Sequence, residues 1–184
     1  MVRFLILGMF IIPQVVVTES IEKYLVEVVR LGRSDYKVEQ EIIAKYEPEA
    51  FFDELSEFYS DSLVVIRQKA YYLTYRFAKI RNVNRSKVVK ILLKGCFDGD
   101  GGIVGQNVGY LKRFNREDFD TEAFNLLKSK LSNHRVSHYK DFVLLAGFLG
   151  VGKDILYQKF IDGHTSSQLK WSLSLALARM GNTE

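Results

Sequence analysis

The sequence predicts an all-α domain, and three observations carry that reading. Apolar residues recur at helical spacing along nearly the whole chain beyond residue 20, with no alternating stretch of the kind a half-buried strand needs. Only two prolines, Pro13 and Pro48, stand in 184 residues, which is little turn punctuation for a sandwich or barrel of short strands. The helical stretches are short, similar in length and separated by glycines or small polar clusters. The length suits one ordinary domain, and 47% apolar with 26% charged residues excludes a disordered chain. One cysteine, Cys96, excludes a disulfide framework or a cysteine-built zinc cage within the chain.

Each element follows from its stripe. Ile21, Tyr24, Leu25 and Val28 stand at i, i+3, i+4 and i+7, and Gly32 is a natural stop. Val38, Ile42 and Tyr46 make a second stripe. Pro48 suits a first helical position, with Phe51, Phe52, Leu55, Phe58 and Tyr59 following. Ile66, Ala70, Leu73, Phe77 and Ile80 form a regular 4-3-4-3 stripe. Asn82 or Asn84 can cap the next helix, whose inward residues are Val88, Val89, Leu92 and Leu93. Gly95 and the run Asp98-Gly99-Asp100-Gly101-Gly102 break the pattern, which resumes at Val104, Val108 and Leu111. Asp118 or Asp120 can start a helix carrying Phe124, Leu126, Leu127 and Leu131. Residues 138–149 and 153–161 read as two more, and Thr165 with Gln168 forms a capping-box pattern before Leu169 to Met180. The total is about ten helices.

The first twenty residues read differently. One positive charge, Arg3, precedes an apolar run from Phe4 to Val17, broken by Gly8 and Pro13-Gln14 and followed by Thr18-Glu19-Ser20. The run is too short to span a bilayer, which takes about twenty residues. It predicts a secretory signal peptide over residues 1–20 and an exported, periplasmic or extracellular protein. The alternatives are a buried first element in a cytoplasmic protein, or an uncleaved anchor that would be the chain's single route to a membrane.

Two segments repeat. Gln68-x-Ala70-x-Tyr72-Leu73 recurs thirty-eight residues later as Gln106-x-Val108-x-Tyr110-Leu111, and Ala146-Gly147-Phe148-Leu149 stands a further thirty-eight on. A period near forty filled by two helices marks a helical solenoid. Asp61 followed by Ile66-Arg67-x-x-Ala70 resembles the first helix of a HEAT repeat, and Leu169-Lys170-Trp171 to Leu177-Ala178-Arg179-Met180-Gly181 is similar to another with its closing glycine. The resemblance covers roughly residues 48–181, and the second unit departs from it at Gly105, where an arginine is usual. It implies a HEAT-like (armadillo-like) right-handed α-α superhelix of about four to five helix pairs over residues 21–184, either closed by an unpaired helix or continued in a longer product.

Several segments imitate chemical sites. Gly147-Phe148-Leu149-Gly150-Val151-Gly152-Lys153-Asp154 fits the spacing of a phosphate loop, but Asp154 replaces the magnesium-ligating hydroxyl, and the parallel sheet such a loop needs finds no other strand in the sequence. It reads as a corner between helices. Counting a calcium loop from Asp98 puts Ile103 and Gly109 where Gly and Glu belong. His134, His138 and His164 show no metal or triad spacing. Cys96 has no base placed for it and reads as a buried thiol. Glu117, Asp118, Asp120 and Glu122 suit a helix dipole better than an acid–base pair. No catalytic residue, cofactor, metal or small-molecule substrate is expected.

Charge layout carries the functional expectation. Residues 19–61 hold twelve acids and five bases, a net of −7, whereas residues 62–97 hold nine bases and no acid. Lys87, Lys90 and Lys94 stand at i, i+3 and i+7, and Lys69, Arg76 and Lys79 make a matching stripe with Tyr72 among them. One reading is a solvated face, or a basic layer stacked on the acidic helices. The other is a binding face whose positive contacts are Lys69, Arg76, Lys79, Lys87, Lys90 and Lys94. On that reading the chain is a non-catalytic scaffold that binds a protein partner through a charged concave surface. The alternative is a nucleic-acid-binding repeat protein resembling the DNA-alkylation-repeat proteins.

Overall fold

A computed structural model describes residues 20–133 and 138–181, which hold ten α-helices, two short 3-10 turns and no strand. The first three helices are α1 (Ile21–Leu31), α2 (Tyr36–Lys45) and α3 (Pro48–Ser56). Then come α4 (Val64–Ile80), α5 (Arg85–Gly95) and α6 (Gly101–Leu111). The last four are α7 (Thr121–Ser132), α8 (Tyr139–Leu149), α9 (Lys153–Ile161) and α10 (Ser167–Arg179). Residues 1–19 of the expected signal peptide lie outside the described residues, its last residue, Ser20, caps α1, and no described helix is long and apolar enough to cross a membrane.

Local chemistry sets most helix ends. Ser20, Asp35, Asn84, Asp100, Asp120 and Ser166 each accept a hydrogen bond from a backbone N–H of the first helical turn, satisfying donors the helix cannot. Gly32 ends α1 in the left-handed region at φ 64°, where a side chain would be strained. Pro48 occupies the first turn of α3, where its missing N–H costs nothing.

Three ends differ from expectation. The stripe through Phe58 and Tyr59 leaves the α-helix at Ser56 and tightens into a 3-10 turn over Glu57–Ser60. Gly101 and Gly102 open α6 instead of breaking it, because Asp100 caps the helix through the N–H of Ile103. Ser166 caps α10, while the Thr165 hydroxyl donates to the carbonyl of Lys159.

From α4 onward the packing is regular. The helices α4, α6, α8 and α10 each pack on the next, and α5, α7 and α9 do the same. The two series meet where α5 packs on α4 and α6, α7 on α8, and α9 on α10. At the N-terminal end α1 and α3 pack on α4, with α2 against α1. The thirty-eight-residue repeat falls on this arrangement, since its copies lie in α4, α6 and α8, neighbours in one series. Ala70, Leu73, Val108, Leu111, Ala146 and Leu149 are all buried, and the Gln106 amide donates to the carbonyl of its counterpart Gln68 at 3.2 Å.

The core runs through every described α-helix. Phe51 of α3 stacks on Phe77 of α4 with centroids 3.9 Å apart, and Phe52 meets Phe77 edge-on at 5.6 Å. Ile80, expected on the inward stripe of α4, instead ends the helix 44% exposed.

Two glycines lie against series neighbours. A Cβ on Gly105 would stand 2.7 Å from the exposed ring of His138 at the start of α8, which would have to swing aside. A Cβ on Gly147 would stand 2.5 Å from the Cα of Ala176 in α10. The phosphate-loop-like segment is therefore a helix corner: Gly147 packs α8 on α10, and Gly150 and Gly152 take φ 68° and 75° between α8 and α9. We expect Gly147→Ala to lower the unfolding free energy by about 1–3 kcal/mol, because backbone cannot yield to the methyl group. Denaturant unfolding against wild type measures it, and an unchanged midpoint would mean the two helices separate at no cost.

Candidate functional site

The sequence singled out six cations, and the structure divides them. Lys69 and Arg76, two turns apart on α4, both turn to a single carboxylate, Glu39 of α2. Lys69 Nζ donates to Oε2 at 3.0 Å and Arg76 Nε to Oε1 at 3.0 Å. Lys87 pairs with Glu49 and lies over the ring of Phe52. Lys90 bridges Asp120 and Glu122 at 3.2 and 3.1 Å. Lys79 and Lys94 are exposed and have no carboxylate partner among the described residues. No single exposed stripe forms. Of the nine bases in residues 62–97, seven hold carboxylates, and four of those seven reach back to Glu39, Glu47 or Glu49. The acidic and basic segments are packed against one another.

Glu39 is the residue the stripe analysis passed over. It is 1% exposed and sits with Ile42 and Ile43 on the buried face of α2. An acid at position i of the spacing 39, 42, 43, 46 was the available signal, because a carboxylate on an apolar face must find cations. It also accepts from the phenols of Tyr72 at 3.2 Å and Tyr24 at 3.4 Å. Four donors from α1 and α4 thus converge on its two oxygens. Burial lowers the Lys69 ammonium from its ordinary value, opposed by Glu39. Burial raises Tyr24 and Tyr72, and the Glu39 charge adds to the rise. The Lys69 ammonium also lies 3.9 Å from the Tyr72 ring centroid.

Beside this cluster opens a cleft of about 610 Å³ between α1, α2, α4 and α6. Val28, Val29 and Val65 supply apolar wall, Gln68 and Gln106 supply amides, and Arg33 and Ser34 stand in the α1–α2 connection at its border. Gln106 gives its NH2 to Tyr110 and to the Gln68 carbonyl, while its Oε1 is buried with no hydrogen-bond partner. Further along the same helix series, Leu144 and Trp171 border a groove of about 620 Å³, with Trp171 68% exposed.

The other chemical imitations resolve into structure. The Asp98 carboxylate takes the Arg67 guanidinium in a two-point pair at 2.8 and 3.0 Å and accepts from the Asp100 N–H. No group of three potential metal ligands stands together among the described residues. Cys96 is buried, and burial pushes its thiol up to about 12, so the reactive thiolate is suppressed. His134 lies outside the described residues. His138 is the one non-glycine described residue with positive φ, and it pairs with Asp141 at 3.4 Å. Asp118 holds Arg85, and Asp120 caps α7.

Comparison with family models, with curated proteins and with solved structures finds no match for this chain.

Two outcomes follow from this geometry. Glu39→Gln leaves Lys69 and Arg76 facing each other without a counter-charge, and we expect a loss of about 3–5 kcal/mol in unfolding free energy. Glu49→Gln, at the open Lys87 pair, should cost under about 1 kcal/mol by the same urea titration. Equal losses would mean that Glu39 is not the keystone of this end. On the acid side, the Arg67 hydrogen bonds hold Asp98 below its ordinary value of 3.8. A depressed carboxylate contributes stability that is complete above the unfolded value and lost as pH falls through the folded one. Asp98→Asn should therefore flatten the fall of thermal midpoint below pH 3.8 while lowering the midpoint at neutral pH. A parallel curve would overturn the assignment.

Proposed function

We propose that the chain is a non-catalytic scaffold of stacked, HEAT-like helix pairs that binds a protein partner on the face carrying the cleft. The observation that carries the reading is the cleft itself. It joins an apolar valine wall to the polar side chains of Arg33, Ser34 and Gln68, the mixture a peptide segment satisfies with side chain and backbone together. The neighbouring titratable groups support binding over chemistry, since Glu39 is occupied by four donors and leaves no free base. The two series of helices, with the repeat falling on α4, α6 and α8, are what stacked helix pairs use to offer one extended surface. The nucleic-acid alternative draws less support, because seven of the nine bases in residues 62–97 already hold carboxylates.

The test is quantitative retention of partners from an extract of the source cell on immobilised wild type and on Val65→Arg, with helicity checked by circular dichroism. Val65 is exposed in the cleft wall, so the variant should fold normally. A protein band held by wild type should weaken about tenfold or more in the variant, the effect of spoiling a central contact. Lys94→Glu, away from the cleft lining, should retain it. A band indifferent to Val65→Arg would remove the cleft from the binding surface. Retention of nucleic acid that collapses with added salt would favour the alternative instead.

A further inference from the structure

A second, smaller hollow lies elsewhere on the same helices. Tyr75, Ala78 and Lys79 of α4, Arg85 at the start of α5, and Arg113 and Phe114 just past α6 enclose about 210 Å³. Its charge is unusual for this chain. Cations elsewhere on α4 and α5 are mostly neutralised, yet Lys79 and Arg113 face the hollow with no carboxylate partner among the described residues. The third cation, Arg85, is held in place: its Nε donates to Asp118 Oδ1 at 2.9 Å, and its guanidinium lies 4.8 Å from the Phe114 ring centroid. Asp118 is the acidic group that touches this cluster, and it answers Arg85 alone. Two positive charges are left over.

The walls are aromatic and fixed. Phe114 is buried and meets Tyr75 edge-on at 6.5 Å, and Tyr75 in turn stacks on Tyr110 with centroids 4.3 Å apart and planes 1° from parallel. A concave site with low-dielectric walls concentrates the field of its cations. A carboxylate would cancel one of the two surplus charges. A phosphate monoester carries close to two at neutral pH and presents three acceptor oxygens, which a guanidinium fork and an ammonium can share.

We infer that the hollow formed by Tyr75, Lys79, Arg85, Arg113 and Phe114 is a binding site for a phosphate monoester. The site is separate from the cleft at Glu39, so the inference stands whether or not that cleft takes a protein. Lys79 and Arg113 contact the phosphate oxygens, and Arg85, braced by Asp118, closes the third side. The rings of Tyr75 and Phe114 leave room for the group that carries the phosphate.

Isothermal titration of the full chain at fixed ionic strength tests this with four probes: inorganic phosphate, phenyl phosphate, benzoate and dimethyl phosphate. Phenyl phosphate should bind saturably and about tenfold or more tighter than the singly charged benzoate or dimethyl phosphate. Phenyl phosphate tighter than inorganic phosphate identifies a phosphorylated organic group as the ligand; equal affinities identify free phosphate. Lys79→Gln and Arg113→Gln should each weaken phenyl phosphate about tenfold, the loss of one charge-assisted contact. Lys94→Gln removes an unpaired cation outside the hollow and should change nothing. No saturable binding, equal affinity for benzoate, unchanged affinity in the two pocket variants, or an equal loss in Lys94→Gln would each overturn the assignment. Circular dichroism confirms that the variants are folded; both replaced side chains are exposed, so neither change touches the core.

Discussion

One buried carboxylate holds the N-terminal third of the molecule together. Glu39 takes two cations from α4 and two phenols, one from α1 and one from α4, so three helices meet at its two oxygens. Removing a carboxylate and an ammonium from water is costly, and the cost is offset only where every charge and lone pair is matched. Here the two oxygens take four donors, while the two cations leave one positive charge over. The arrangement fixes α2 against α4 at one distance and one register, which a purely apolar seam would not specify as tightly. Tyr72 and Lys69, held toward Glu39, line the cleft together with the valines of α1 and α4.

The same economy runs along the chain. The acidic segment before residue 62 and the basic segment after it neutralise each other across helix interfaces, through Glu39, Glu47 and Glu49. Beyond that the basic residues of α4 and α5 turn to Asp98, Asp118, Asp120 and Glu122. Residues that look chemical in isolation are committed to holding helix ends and corners. Asp98 anchors Arg67, Asp100 caps α6, and Gly147 admits the backbone of α10. What stays outward is therefore informative by contrast. It consists of a valine-walled cleft, a Trp171-bordered groove, and a small aromatic hollow with two uncompensated cations. Each of them includes residues of the series of helices that carries the internal repeat.

The helices themselves were legible in the sequence. Gly32, Pro48, Asn84 and Asp120 stand where the caps form, and the residues expected inward on α5, Val88, Val89, Leu92 and Leu93, are fully buried. The thirty-eight-residue match landed on helices that are neighbours in space. These signals are local: a cap reaches three residues, and a stripe repeats every turn. The misplacements were local too. Gly101 and Gly102 looked like breakers, yet a cap at Asp100 outweighs the low helix propensity of glycine.

The charge stripes are where the tertiary structure decided. Lys69, Arg76, Lys87 and Lys90 look exposed on a helical wheel, but their partners lie about thirty to forty residues away in sequence. Periodicity says which side of a helix a lysine occupies and nothing about which neighbour that side meets. Sequence alone determined an all-helical chain, its helix ends, most of its core and a segregation of charge. Only packing determined that Glu39 would draw two of those cations inward, and that Lys79 and Arg113 would be left facing a hollow. The reason is the range of the forces: hydrogen-bonded caps act within a turn, while an ion pair forms wherever the fold brings two charges within about 4 Å.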